Sequence, residues 1–326
     1  MKSTQEELLQ LRDMPLRDVF SLVKKIRGVH TPEIDLCGIV NAKSGVCGED
    51  CKFCAQSKRY MTGVIEYPLI EKERIVQEAA KAAKNGACRF GIVTSGNTRT
   101  EQELVSIAAA IQEICSTLSI KVCASFGALT KEQFLMLKAA GLSRYHHNLE
   151  TAENYYKEIV STHQYSQRVD TVRAAKAVGL PVCSGGIIGM GESWQDRIDL
   201  ACALAELDVD SVPLNILVAL AGTPFAGVKQ ISIGEVLRTI ALFRVVLEGK
   251  AIRLAAGREK YFSHEHVRAS GEEEIISLVN ELGLQDPGVL LYLAGSSGMM
   301  IGGYLTIAGR SVEEDLALVE EIGKFN

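Results

Sequence analysis

Stretches that read as strands alternate with stretches that read as helices along nearly the whole 326-residue chain. No other feature restricts the fold as strongly. Short apolar runs at Ile34–Asn41, Arg89–Thr94, Ile120–Phe126, Ser143–Asn148, Pro181–Ile188, Asp210–Val218, Ala251–Ala255 and Met299–Gly302 have the length and composition of strands. Helix-like segments fall between them: Glu71–Asn85, Glu101–Leu118, Lys131–Ala140, Ala152–Val160 with Ser166–Val178, Trp194–Glu206, and Ile233–Leu247. Glu259–Glu274 reads as a polar connection followed by a helix, and Val312–Phe325 closes the chain. Gly86, Gly141 and Gly179 stop three helices, while Thr130 and Ser311 cap two. Parallel strands joined through helices follow from this order. Eight such units fit an α/β fold, the (β/α)8 TIM-type barrel, which commonly takes ~250 residues. A doubly wound open sheet calls for G-x-G-x-x-G after the first strand, and Asn41–Cys47 has no such turn. The chain therefore reads as a single domain, 1–326, without a linker. Two short helices, Gln5–Arg12 and Leu16–Ile26, make 1–30 an N-terminal segment capping a barrel end.

Bulk properties remove several classes of function. A net charge of −5 with no block of like charge gives no footprint for nucleic acid or an anionic membrane. No apolar run reaches the ~18 residues of a membrane span, and Met1–Arg12 lacks the apolar core of a signal peptide. Nine cysteines, an odd number scattered through a long chain, do not resemble a disulfide framework. Reduced thiols in the cytoplasm, used for metal or packing, are the expectation.

Three of those thiols are concentrated in Cys47-Gly48-Glu49-Asp50-Cys51-Lys52-Phe53-Cys54, a loop that follows the first strand. Thiolates this close suit a soft metal centre. Iron–sulfur clusters use such spacings, and three ligands on four irons leave one iron open to a small molecule. A structural zinc site normally closes with four ligands, and the next cysteine after this run is Cys88. Spacing alone leaves both metals open.

Barrel active sites lie at the C-terminal ends of the strands, where this loop emerges. Gly185-Gly186-Ile187-Ile188-Gly189-Met190-Gly191-Glu192 emerges there from the fifth strand, as a ligand loop or a tight turn needing small residues. Cys37, Cys123 and Cys183 lie within the first, third and fifth strands, Cys88 just before the second, and Arg253 within the seventh. Inward-facing residues of a barrel converge. Each thiol by itself reads as a small buried hydrophobe, but a buried Arg253 needs an anionic partner. Cys115 and Cys202, on helices, read as packing residues. Asn148, at the end of the fourth strand, and Asn215, in the sixth, place amides at the barrel mouth. Arg168 reads either as an exposed helix charge or as a carboxylate clamp.

The Cys47–Cys54 spacing, with Phe53 before its last thiol, resembles the radical S-adenosylmethionine (SAM) superfamily. With Ala55-Gln56-Ser57, His147-Asn148-Leu149, Val182-Cys183-Ser184-Gly185-Gly186-Ile187, Ser211-Val212-Pro213-Leu214-Asn215 and Arg253-Leu254-Ala255-Ala256-Gly257-Arg258-Glu259, it resembles the biotin synthases. The resemblance runs from about Asp35 to the C-terminus. It implies that 205–320 is the biotin- and thiamin-synthesis-associated part of the barrel. It also implies a 4Fe-4S cluster on Cys47, Cys51 and Cys54, whose open iron is chelated by SAM. One electron from flavodoxin or ferredoxin would cleave SAM to methionine and a 5′-deoxyadenosyl radical. That radical would take hydrogen from C9 and C6 of dethiobiotin, and a second cluster would donate the sulfur. Phe53, Asn148, Glu150, Arg168, Gly185, Gly186, Ile187 and Glu192 would hold SAM by position, with Asn148 and Asn215 also on dethiobiotin. A homodimer is the implied assembly.

The chain departs from the family's pattern in the second cluster, usually 2Fe-2S on three cysteines and an arginine. Cys123, Cys183 and Arg253 match, but Gly91 stands at the remaining cysteine position. Cys88 lies three residues earlier, nominally on the other face of the strand. The expectation is that Cys37, Cys88, Cys123, Cys183 and Arg253 serve a differently built second cluster, either 2Fe-2S or a larger, atypical one. His146 and Glu150 replace the family's Asn and Asp, the latter keeping the carboxylate. Competing readings are a methylornithine synthase or hydrogenase-maturase type of radical SAM barrel, or a non-radical barrel with structural zinc.

Overall fold

Period-two alternation sorts the strand residues onto two faces. The protein's structure, a computed structural model, describes residues 4–27, 34–302 and 309–325. Residues 28–30 of the expected capping segment lie outside the described residues. Eight parallel strands form the wall: Asp35–Lys43, Arg89–Thr94, Lys121–Ser125, Arg144–His146, a fifth in two pieces (Val182–Cys183 and Gly186–Ile188), Ser211–Ile216, Ala251–Leu254 and Gly298–Met300. The first strand pairs with both the second and the eighth. The fifth pairs with the fourth on one side and the sixth on the other, so the ring is closed. Outward positions such as Phe90, Ile92, Val122, Tyr145, Val212, Leu214, Ile252 and Leu254 are buried against the helices. Each contributes on the order of 1.5–3 kcal/mol. The inward set mixes Cys37, Arg89, Cys123, Arg144, Cys183 and Arg253 with apolar residues such as Ile39, Val93 and Pro213. Layers of branched apolar side chains usually fill such an interior; here the middle of the barrel is a chamber.

The helices follow from spacing and caps. In Glu101–Thr117, Leu104, Ile107, Ile111 and Ile114 recur at three- and four-residue steps and are all buried. Thr100 accepts from the Glu103 amide while the Glu103 carboxylate accepts from the Thr100 amide. Thr130 with Gln133, Ser193 with Asp196 and Ser311 with Glu314 repeat this box, each cap contributing ~1 kcal/mol. The N-terminal helices, Gln5–Gln10 and Leu16–Arg27, pack on the outer helices Trp194–Glu206 and Ile233–Val246. Trp194 Nε1 donates to the Leu8 carbonyl at 3.0 Å, and Arg238 Nε to that of Met14 at 2.8 Å.

Two expectations about local structure are corrected. The fifth strand is not continuous, because at Gly185 the chain crosses so close to the sixth strand that a Cβ would lie 1.9 Å from the Pro213 carbonyl oxygen. The stretch read as a polar connection holds two short helices, Arg258–Tyr261 and His264–Ser270, and Val289–Leu293 is a further one. Elements this short show no full amphipathic period. Tertiary contacts define them, such as Arg258 pairing with the buried Asp315 at 2.6 Å.

Tyr145 fixes the fourth strand, which ends in the site. Its ring is fully buried, edge-on to Phe134 at 4.7 Å. Its hydroxyl accepts from the Phe126 amide at 3.1 Å and donates to the Gly127 carbonyl at 2.6 Å. Tyr145→Phe strands both groups and is expected to cost ~1–3 kcal/mol in urea unfolding. An unchanged midpoint would show that water takes the hydroxyl's place.

Candidate active site

A cavity of about 360 Å³ opens at the C-terminal ends of the strands and reaches down into the barrel, with thiols at both depths. Cys47, Cys51 and Cys54 line its mouth. Backbone bonds close their loop: Cys47 N–H donates to Gln56 O at 3.0 Å, Lys58 N–H to Cys47 O at 2.9 Å, and Cys54 N–H to Cys51 O at 3.0 Å. The Asp50 carboxylate accepts from the Ser161 and Thr162 amides at 2.9 and 3.1 Å, anchoring the loop to the chain after the fourth strand. Those bonds hold its pKa well below the usual carboxylate range despite partial burial. Burial pushes the Cys51 thiol far up and that of Cys54 to about 11. Metal loading must therefore displace protons from them. Among the described residues, no three His, Cys, Asp or Glu side chains converge on one point fit for a single ion. Cys47, Cys51 and Cys54 line one cavity, and three thiols fall short of the four-donor shell of structural zinc, whereas a polynuclear cluster can be held by three.

Phe53, Asn148, Glu150, Arg168, Ile187 and Asn215 line the same cavity. Glu150 has a φ of 70°, a left-handed conformation unusual for this residue. Its N–H donates to Gly185 O at 3.1 Å, and its carboxylate accepts from Asn148 Nδ2 at 3.2 Å. Arg168 Nη1 lies 3.7 Å from that carboxylate and donates to Asn148 O at 3.0 Å. Arg168 is thus a clamp, not an exposed helix charge. Asn215 Oδ1 accepts from the Ala256 amide at 3.1 Å.

Gly185, Gly186 and Glu192 are not brought to the cavity wall. The two glycines permit close strand crossing; a Cβ at Gly186 would lie 2.4 Å from the Glu150 carbonyl oxygen. The Glu192 carboxylate accepts from the Gly189 and Met190 amides at 2.8 and 2.7 Å and pairs with buried Arg197 at 2.8 Å. It braces the turn from behind.

Deeper in the barrel, Cys37, Cys123, Cys183 and Arg253 face one another across four strands. Cys88 does not join them. It sits before the second strand, exposed, its thiol donating to the Asp35 carboxylate at 2.7 Å. Alternation that turns Arg89 and Gly91 inward turns Cys88 away. Cys115 is also exposed rather than packed, donating to Gly141 O at 3.4 Å.

Sequence reasoning missed Arg144, the register neighbour of Cys123 on the fourth strand. It is buried in the cavity wall, and its Nε and Nη1 have no partner among the described residues. Arg253 pairs with Asp35, yet its Nε is unpartnered as well. Three guanidiniums, Arg89, Arg144 and Arg253, facing three thiols with one carboxylate, Asp35, between them leave a demand for negative charge. Thiolates around an iron–sulfur core would meet it. Burial acts to raise the Cys183 thiol, but the His146 imidazole and the charges of Arg253 and Arg144 outweigh it and bring it to about 7. In metal-free protein, Cys183 should therefore react with iodoacetamide at about pH 8 far faster than Cys54. Peptide mass spectrometry reads the two rates, and equal rates would contradict this arrangement.

Residues 42–203 match the Radical SAM superfamily, and residues 213–324 match the Biotin and Thiamin Synthesis associated domain. The chain is 48% identical over 293 residues to the biotin synthase of Thermotoga neapolitana, covering 90% of this chain and 97% of the relative. It is 42% identical over 326 residues to that of Pelotomaculum thermopropionicum, covering 99% and 95%. Among solved structures, methylornithine synthase (PylB) superposes with a TM-score of 0.80 at 17% identity, covering 99% of this chain and 94% of that one. The FeFe-hydrogenase maturase HydG from Carboxydothermus hydrogenoformans gives 0.74 at 18% identity, covering 94% and 71%. At such identity these two share the fold alone. Among the described residues, no helix is long and apolar enough to cross a membrane.

Proposed function

The chain belongs to the biotin synthase family of the radical SAM superfamily, and on that premise we propose how its cavity divides the reaction between two depths. Such an enzyme inserts sulfur into dethiobiotin between C6 and C9, using SAM and a 4Fe-4S cluster. When bound, the 4Fe-4S cluster with SAM supplies the 5′-deoxyadenosyl radical, and a second iron–sulfur cluster supplies the sulfur. Cys47, Cys51 and Cys54 would hold the first cluster at the mouth. Glu150, fixed by Arg168 and Asn148, accepts from SAM's hydroxyl groups. Phe53 and Ile187 give the cofactor apolar contact. Asn148 and Asn215 meet the polar end of dethiobiotin between the two depths.

In the deep part of the cavity, Cys37, Cys123 and Cys183 hold the second cluster with Arg253, while Arg144 supplies an additional positive charge. Cys37 takes over from the thiol missing at Gly91. It lies in register with Arg89, and Cys123 with Gly91, two residues further along. That is ~6.6 Å in the strand direction. A donor set so spread favours a cluster larger than 2Fe-2S. The chamber also excludes water around a reactive carbon centre, as an enclosed site must.

Lys58, Arg59, Met61 and Ile65 form an exposed basic and apolar rim near the cysteine loop. This surface suits an acidic one-electron carrier such as a flavodoxin or ferredoxin. Free thiols at all nine cysteines suit the cytoplasm.

The gathering in one cavity of two thiol sets and of guanidiniums with unpartnered nitrogens carries this reading. Anaerobically reconstituted protein, given reductant, SAM and dethiobiotin, is expected to yield biotin with methionine and 5′-deoxyadenosine. SAM cleavage that leaves dethiobiotin unconsumed would defeat it.

A further inference from the structure

A single chain of hydrogen bonds links the SAM clamp to a mouth thiol. Arg168 Nε lies 2.6 Å from Tyr156 Oη, Tyr156 Oη 2.8 Å from His163 Nδ1, and His163 Nε2 3.6 Å from Cys51 Sγ. A guanidinium only donates. Tyr156 therefore accepts from Arg168 and has its own hydrogen to give to Nδ1. With Nδ1 accepting, the ring proton of neutral His163 sits on Nε2 and points at Cys51.

The residues on both sides of Cys51 are pinned to the segment that carries this histidine. Asp50 takes the Ser161 and Thr162 amides, and Lys52 N–H donates to Ile159 O at 2.9 Å. His163 thus has a fixed placement relative to the sulfur.

We propose that His163 is a positioning residue that donates a hydrogen bond to the Cys51 thiolate and raises the reduction potential of the cluster it holds. The proposal rests on reading Cys51 as a cluster ligand. A donor to a ligand sulfur stabilises the reduced, more negative state more than the oxidised one. It eases the electron transfer that precedes SAM cleavage, and the tautomer it needs is set by the residue that clamps Glu150.

The test is an EPR-monitored redox titration of the full chain, anaerobically reconstituted, following the cluster signal that changes when SAM is added. His163→Leu should make reduction about tenfold less favourable, a fall of ~59 mV for a one-electron couple. His163→Gln, which can still donate, should recover most of it. Tyr156→Phe should fall between, since the tautomer is no longer fixed. A purely structural His163 would change the iron content and leave the midpoint in place. An unshifted midpoint in His163→Leu, or a glutamine variant no different from leucine, overturns the proposal. If His163→Leu holds no cluster, Tyr156→Phe decides, and an unshifted midpoint there overturns it too. A SAM-sensitive signal that survives Cys51→Ala shows instead that the ligand reading is wrong, and the proposal falls with it.

Discussion

Cys51→Ala is expected to stop SAM cleavage outright, with no 5′-deoxyadenosine above the level of reductant and SAM alone. Loss of an outer-shell partner typically costs ~10–100-fold, and loss of one of three ligands at an open cluster should exceed that. Cys51 is also held from both sides, with Asp50 and Lys52 both bonded to the segment after the fourth strand. Its backbone cannot move to let water or a neighbouring side chain replace the sulfur. Cys115→Ala, at an exposed thiol on an outer helix, should leave cleavage unchanged and serves as the control. Chromatography of the reaction, with iron content measured alongside, reads both. A Cys51 variant that cleaves SAM within tenfold of the parent would mean that the ligand set lies elsewhere.

What the chain reveals before folding depends on how local each cause is. The barrel was legible because its cause, alternating strand and helix with caps such as Thr130 and Ser311, is written within short windows. Cys37, Cys123 and Cys183 could be placed inward by strand parity. Arg144 obeys the same parity, two residues before His146 and four before Asn148, but an arginine early in a short strand reads as surface charge. Only closure of the ring shows that Arg144 Nε and Nη1 meet no partner among the described residues. The glycine run misleads in the opposite direction. Its small residues look made for a ligand, whereas Gly185 and Gly186 serve strands that nearly touch. Glu192 reads as a ligand-facing carboxylate until Arg197, one helical turn on, turns out to hold it. His163 gives no local hint at all, because the contacts fixing its segment join residues more than a hundred positions apart.

Cys37→Ala should abolish biotin formation, by ~100-fold or more on the same comparison with an outer-shell loss. It should leave a substantial part of SAM cleavage intact, because Cys37 lies deep in the chamber and away from the cysteine loop. Uncoupling of this kind is what a sulfur-donor ligand predicts and a packing residue does not. Cys88→Ala should leave biotin formation close to the parent, since its thiol faces Asp35 outside the cavity. Gly91 allows a stronger test. A Cβ built there meets nothing closer than 3.7 Å and requires no unusual φ, and its register partner is Cys123. Gly91→Cys placed on Cys37→Ala would therefore recreate the three-cysteine, one-arginine set usual in the family. The double variant should regain biotin formation in part. Its Mössbauer spectrum should move from that of a larger cluster to that of a 2Fe-2S centre. If the parent already shows a 2Fe-2S centre that survives Cys37→Ala, the assignment of Cys37 fails. The chamber's sulfur would then depend on Cys123, Cys183 and Arg253 without it.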